Sequence, residues 1–109
     1  MRKNTNIILE CPVTATMTLI GGKWKPVIIY ALSGKTRRFG EIAARVPGIS
    51  RKVLSEQLKQ LEEDGLVSRK QFNEIPPRVE YTLTPLGDSL QSILLSLADW
   101  GIKNVISAV

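Results

Sequence analysis

Arg51, Lys52, Ser55 and Lys59 are the side chains whose types and spacing point most directly to a chemistry, and that chemistry is recognition of a polyanion. On one helix that starts at Ser50, Lys52, Ser55 and Lys59 fall at about 200°, 140° and 180° around the axis. Leu54, Leu58 and Leu61 fall at about 40°, 80° and 20°, with Val53 at about −60°, so an apolar flank holds the same helix to a core. Arg51 sits between the two flanks, in the first turn. A helix that reads DNA needs short polar and cationic side chains on its outer flank, because its N-terminal residues meet base edges in a groove about 12 Å wide. Arg51 and Lys52 can pair with guanine acceptors, and Ser55 can bond a base or a phosphate. Glu56 also points outward and repels phosphate unless it accepts from a cytosine amino group. Gln57 falls toward the core and reads as half-buried.

The charge distribution points the same way. Fifteen Lys and Arg stand against ten Asp and Glu, a net charge of +5. Lys35, Arg37, Arg38, Arg45, Arg51, Lys52 and Lys59 are opposed only by Glu41 and Glu56 between residues 35 and 59, so all of the net charge lies there. A focused positive field suits a nucleic acid, or less readily an anionic membrane surface. The plainer alternative is a solvated basic face with no partner. Arg37 and Arg38 suit phosphate contacts, which position a protein without specifying sequence. Arg69 and Lys70 lie on a later segment rich in β-formers. Arg78 follows Pro76-Pro77, which limit local freedom, so an arginine there can enter a minor groove at little ordering cost.

Other chemistries find little support. There is no histidine, no glycine-rich phosphate loop and no metal-ligand spacing, so an enzyme, a cofactor and a metal are not expected. Glu62-Glu63-Asp64 read as a solvated helix end. No apolar run is long enough to cross a membrane, and Ile7–Leu9 is too short for a secretory signal. One cysteine, Cys11, cannot form an internal disulfide, which favours a reducing, cytoplasmic setting. Apolar residues at 43% and charged residues at 23% are ordinary globular usage. The length of 109 residues fits one domain, 1–109.

The elements that must position these side chains follow from local signals. Pro12 opens a helix to about Ile20, closed by Gly21-Gly22. A second runs from about Lys23 to Leu32, with Trp24, Val27, Ile28, Ala31 and Leu32 inward. Phe39–Val46 reads as a short helix, broken by Pro47-Gly48. Ser50 then caps a longer one to about Asp64, with Gly65 as its terminator. Leu66–Phe72 and Val79–Thr84 read as a hairpin around the turn Asn73–Arg78. Thr84-Pro85 opens a last helix, about 85–107. The expected fold is mainly α with a small β-hairpin: a winged helix-turn-helix, with the helix-turn-helix at about 39–64 and the wing at about 66–84.

The ordered set C-P, GGKW, RRFGEI, GIS, L-x-x-LEEDGLV and VEYTLT, spread from about Cys11 to Gly101, resembles the HxlR family of bacterial winged-helix transcriptional regulators, relatives of the MarR type. No departure appears at these positions. The resemblance implies a homodimer on a palindromic double-stranded operator, acting as repressor or activator. It makes Ser50 to Lys59 the recognition helix and Asn73 to Arg78 the wing. A winged-helix adaptor that binds protein in place of DNA keeps the fold, but leaves the concentrated charge without a use.

Two features bear on assembly and control. Counted from Leu86 on a continuous last helix, Leu90, Ile93, Leu94, Leu97 and Trp100 form a core-facing stripe. Leu95, Ala98, Ile102, Val105 and Ile106 form a second stripe that one small domain cannot bury, which calls for a symmetric partner through the terminal helices, joined by Ile7–Leu9. The alternative is a loosely ordered tail beyond Gly101. Cys11, at a helix N-cap, is favoured as a thiolate by the helix dipole and disfavoured by Glu10. The resemblance implies that some relatives sense oxidants or electrophiles through a cysteine at this position. A packed, inert thiol is the other reading.

Overall fold

The computed structural model describes residues 11–106. Five of its helices carry the sequence signals just given, and each boundary has a local cause. Pro12 occupies the first turn of α1 (Pro12–Ile20), where a missing N–H costs nothing. Pro26 does the same in α2 (Lys25–Ala31). A two-residue strand, β1 (Arg37–Arg38), precedes α3 (Phe39–Arg45). The Ser50 hydroxyl accepts from Val53 N–H at 3.1 Å and starts α4 (Arg51–Glu63). Gly65 takes a φ of 77°, the left-handed conformation that ends such a helix and turns the chain into β2.

β2 (Val67–Phe72) and β3 (Arg78–Leu83) pair antiparallel, and β1 adds to the other side of β3, giving the order β1-β3-β2. Thr84 then performs two tasks. Its hydroxyl donates to the Gly65 carbonyl at 2.6 Å and accepts from Gly87 N–H at 3.1 Å, so the start of α5 (Pro85–Asp88) is fastened to the turn after α4. After two turn residues come α6 (Gln91–Gly101) and one π-helical stretch, Ile102–Ile106. This is the winged helix-turn-helix architecture, mainly α with a small antiparallel sheet.

The core lies where α2, α3, α4 and the sheet meet. Ile28, Ile29 and Leu32 from α2, Ile42 from α3, and Leu54, Leu58 and Leu61 from α4 are fully buried with Leu66 and Val67. Burying a branched aliphatic side chain contributes roughly 1.5–3 kcal/mol, so these helices are held by packing more than by propensity. Lys25 and Asp64, opposite in sign, are the buried charged side chains among the described residues, so of the helix end expected to be solvated Glu62 and Glu63 are exposed and Asp64 is not. No described helix is long and apolar enough to cross a membrane.

Four expectations need correction. The last helix is not continuous over 85–107: it breaks at Ser89-Leu90 and changes to a wider π-helical winding after Gly101. Of the stripe expected to face the core, only Leu94 is buried and Leu90 packs partly, while Ile93, Leu97 and Trp100 are exposed. Helical phase shows which residues share a side, not where the core beneath them ends. α6 packs chiefly on α2 and then runs past it. The radius of gyration of 15.0 Å, with extents of 46 × 40 × 24 Å, agrees with that projection, since a compact chain of this size reaches about 13 Å. Val27, expected inward on α2, is exposed. Finally, Arg37 and Arg38 are not a loop before α3 but an edge strand, with Arg37 opposite Tyr81 and Arg38 opposite Glu80.

Candidate nucleic-acid interface

α4 carries the centre of the site. Its buried leucines fix its rotation, and Arg51, Lys52, Ser55 and Lys59 are left exposed on the other side. Gln57 is half-buried, as its angle requires. Arg51 and Lys52 stand in the first turn of the exposed flank, Glu56 and Lys59 follow along it, and Glu62 and Glu63 end it. The N-terminal end of the helix dipole adds partial positive charge beside Arg51 and Lys52. An anionic groove therefore draws the helix in by its N-terminal half.

Arg51 is also positioned from outside its own helix. Its guanidinium lies over the Phe39 ring, 4.8 Å from the centroid, so α3 helps hold a candidate base-reading side chain. α3 is in turn capped by Glu41, whose carboxylate accepts from the Arg38 N–H at 2.8 Å. Ser50, at the N-cap, is exposed but its hydroxyl is engaged by the cap bond.

The hairpin borders α4 directly. Strand alternation puts Val67, Arg69 and Tyr81 on the inner face, and Arg69 shares a cleft with Ser55, Lys59, Glu62 and Tyr81. Lys70 lies on the outer face, opposite Glu80. Arg38 is exposed on that same outer face. Arg37 faces inward, and its Nε donates to the Ala31 carbonyl at 2.6 Å, closing the end of α2. Half-buried and bonded there, it is better placed to hold the scaffold than to meet a phosphate.

Arg78 differs most from expectation. It does not project from the wing tip. Its guanidinium stacks on Phe72 at 3.9 Å, with Nη2 3.0 Å from Glu74 and Nε 3.5 Å from Glu80. Phe39, Phe72, Glu74 and Glu80 are the contributors that reading by composition overlooked. The strand register would have exposed two of them, since Phe72 lies opposite Arg78 and Glu80 opposite Lys70.

Away from this surface, Cys11 is partly exposed at the N-cap of α1. No side-chain cap bond closes on it. Even so, the Thr14 side chain, then the backbone N–H groups of Thr14 and Val13, favour its thiolate and hold the thiol below its ordinary range. Among the described residues no group of three or more His, Cys, Asp or Glu could hold a metal ion. Leu95, Ile102, Val105 and Ile106 are exposed and Ala98 is half-exposed. With Ile93, Leu97 and Trp100 they leave the projecting end of α6 and the π-helical stretch largely apolar, apart from a polar strip that holds the Asp99–Lys103 ion pair at 3.1 Å. Residues 7–9, expected to join this surface, lie outside the described residues.

Comparison with known proteins bears on the fold and the family. Residues 19–108 match a family model described as HxlR-like helix-turn-helix. The chain is 49% identical over 98 residues to an HTH-type transcriptional regulator of Halalkalibacterium halodurans, covering 89% of this chain and 87% of that one. Among solved structures, a transcriptional regulator of the MarR family from Porphyromonas gingivalis superposes with a TM-score of 0.85 at 43% identity, over 89% of this chain and 95% of the other. The redox regulator HypR in its oxidised form gives 0.82 at 41% identity, over 86% and 97%.

Proposed function

The chain belongs to the HxlR-like helix-turn-helix family of transcriptional regulators, and on that premise we propose that it binds a palindromic operator as a homodimer through α4 and the wing. The carrying observation is the exposed, cationic N-terminal half of α4, backed by fully buried leucines on its other side. In this reading Arg51 and Lys52 contact bases, Ser55 a base or a phosphate, and Arg38, Lys59, Arg69 and Lys70 phosphates. Residues 39–64 act as the helix-turn-helix and 66–84 as the wing. The apolar end of α6 supplies the symmetric contact, which sets two copies of α4 about one DNA turn, ~34 Å, apart.

Salt dependence tests this reading. Binding to a duplex selected by the protein from a randomised pool weakens with salt along a log–log line, with a slope of about −0.9 per neutralised phosphate. Lys59→Ala weakens selected and random duplexes alike and flattens the slope by about one phosphate per protomer, ~0.9 each. Arg51→Ala costs the selected duplex about 1–3 kcal/mol and relaxes preference at one base position. Equal losses on both duplexes for Arg51→Ala remove its base-reading role. Salt-insensitive binding favours the protein-adaptor alternative.

We further propose that modification of Cys11 tunes operator binding, a reading supported by its lowered pKa and by the redox function named for HypR. Because the shift is downward, the thiolate fraction rises from a lower pH than for a free thiol. Alkylation of Cys11 by iodoacetamide should reach half its plateau rate at a lower pH than N-acetylcysteine does. Treatment with a disulfide of a small thiol should form a mixed disulfide at Cys11, release one thiol and change operator affinity, reversibly with dithiothreitol. A Cys11→Ser protein that responds like the wild type would retire the proposal.

A further inference from the structure

We propose that the wing meets the minor groove with its uncharged tip, Ile75-Pro76-Pro77, and that Arg78 is a positioning residue that stiffens this tip from behind. The proposal rests on the DNA-binding reading above and names how its second contact is made.

The side chain of Ile75 is 102% exposed, as far into solvent as an isoleucine can be, and both prolines after it are exposed as well. An apolar group in that position gains nothing from the fold, so its whole surface is available to a ligand. Minor-groove proteins use isoleucine and proline in this way, as wedges against base steps and sugar edges.

Electrostatics then decide between the isoleucine and the arginine. From Lys70 to Glu80 there are two cations and two carboxylates, so this part of the wing has no net charge. Arg78 lies among them, only 26% exposed, with Glu74 on Nη2, Glu80 at Nε and the Phe72 ring beneath. Lys70 approaches the same ring, with Nζ 5.0 Å from its centroid. Pulling Arg78 out to reach a groove would break both ion pairs and the stacking contact. It would also leave two carboxylates facing two walls of phosphate. Left in place, it bridges residues 74 and 78 and closes the base of the tip loop, where Glu74 N–H also donates to the Phe72 carbonyl at 2.9 Å.

The tip is also in the right place. Arg69, three residues before Phe72, borders Ser55 and Lys59 of α4. At ~3.3 Å per strand residue the tip lies roughly 10 Å or more beyond that cleft. With α4 in a major groove about 12 Å wide, a projection of that length overhangs the neighbouring minor groove.

The test uses the full chain and a duplex that the wild type selects from a randomised pool. Wild type should protect a flanking minor groove from hydroxyl radicals and the central guanine N7 positions from dimethyl sulfate. Ile75→Ser, at a fully exposed position, should bind about tenfold more weakly per wing, near the lower limit for burying an isoleucine. Its salt slope should be unchanged, and it should lose the flanking hydroxyl-radical protection while keeping that at guanine N7. The double variant Glu74→Gln, Glu80→Gln releases Arg78 and should steepen the slope by about 0.9 per wing. If Ile75→Ser keeps wild-type affinity and footprint, the tip does not enter the groove and the proposal falls. It falls equally if Arg78→Gln flattens the slope by about 0.9 per wing while keeping the flanking protection, because the arginine is then the groove contact. A wild type that enriches no duplex overturns both this proposal and the reading on which it rests.

Discussion

A Leu97→Asp, Ile102→Asp double variant should be a folded monomer that binds the selected operator about a thousandfold more weakly than wild type, the scale of a lost second binding site. Leu97 in α6 and Ile102 at the start of the π-helical stretch are 58% and 55% exposed, and neither belongs to the buried core. Changes at exposed positions usually shift stability by under about 0.5 kcal/mol, so helix content should stay close to wild type, while the unfolding midpoint falls by what assembly contributed. A carboxylate forced into an apolar contact between two copies is a different matter, because it must be desolvated without a partner. Sedimentation velocity reads the assembly state and a fluorescence titration reads the affinity. A wild type that sediments as a monomer, or a variant that remains dimeric and binds normally, would remove the symmetric-partner reading of α6.

Gly87→Ala should be the most damaging single methyl group near the wing. Gly87 is buried where α5 begins, and a Cβ built on it would overlap the Leu66 carbonyl oxygen and stand 3.2 Å from Leu83 Cδ2. The Leu66 carbonyl cannot easily retreat, because it accepts from the Thr84 N–H at 3.1 Å. Gly87 N–H is itself committed to the Thr84 hydroxyl. Relief therefore requires moving α5 off the start of β2, or breaking the cap. An overpacking cost of about 3 kcal/mol is expected. For a domain of this size that lowers Tm by about 15 °C, measured at fixed protein concentration because assembly shifts the midpoint as well. A Gly87→Ala protein melting within a few degrees of wild type would mean that the α5–β2 junction yields easily.

The parts of this molecule that were legible in the sequence are those whose causes are local. Ser50 and Thr84 announce helix starts because each cap needs only one hydroxyl and the next turn. The two flanks of α4 are legible because Leu54, Leu58 and Leu61 recur at helical spacing with Lys52, Ser55 and Lys59 between them. β1 was not, since two arginines become a strand only when Tyr81 and Glu80, more than forty positions away, offer their backbone groups. Arg78 misled for a related reason. Its proline neighbours are visible in the string, whereas the ring and carboxylates that hold it are brought there by strand register. Gly87 has no signal at all, because its necessity lies in a carbonyl belonging to another segment. The stripe on α6 misled because periodicity carries no information about how far the layer underneath extends.

The seven residues of α2 lie at a crossing of forces. This short rod packs on α3, on α4 and on α6, and its terminal carbonyl at Ala31 is gripped by Arg37 from the sheet edge. Val27 and Tyr30 leave one side of it open to solvent, while Ile28 and Ile29 tie its other side to all three neighbours. Whatever joins α6 to the reading helix must pass through this short rod, much as a keystone stands between the two flanks of an arch.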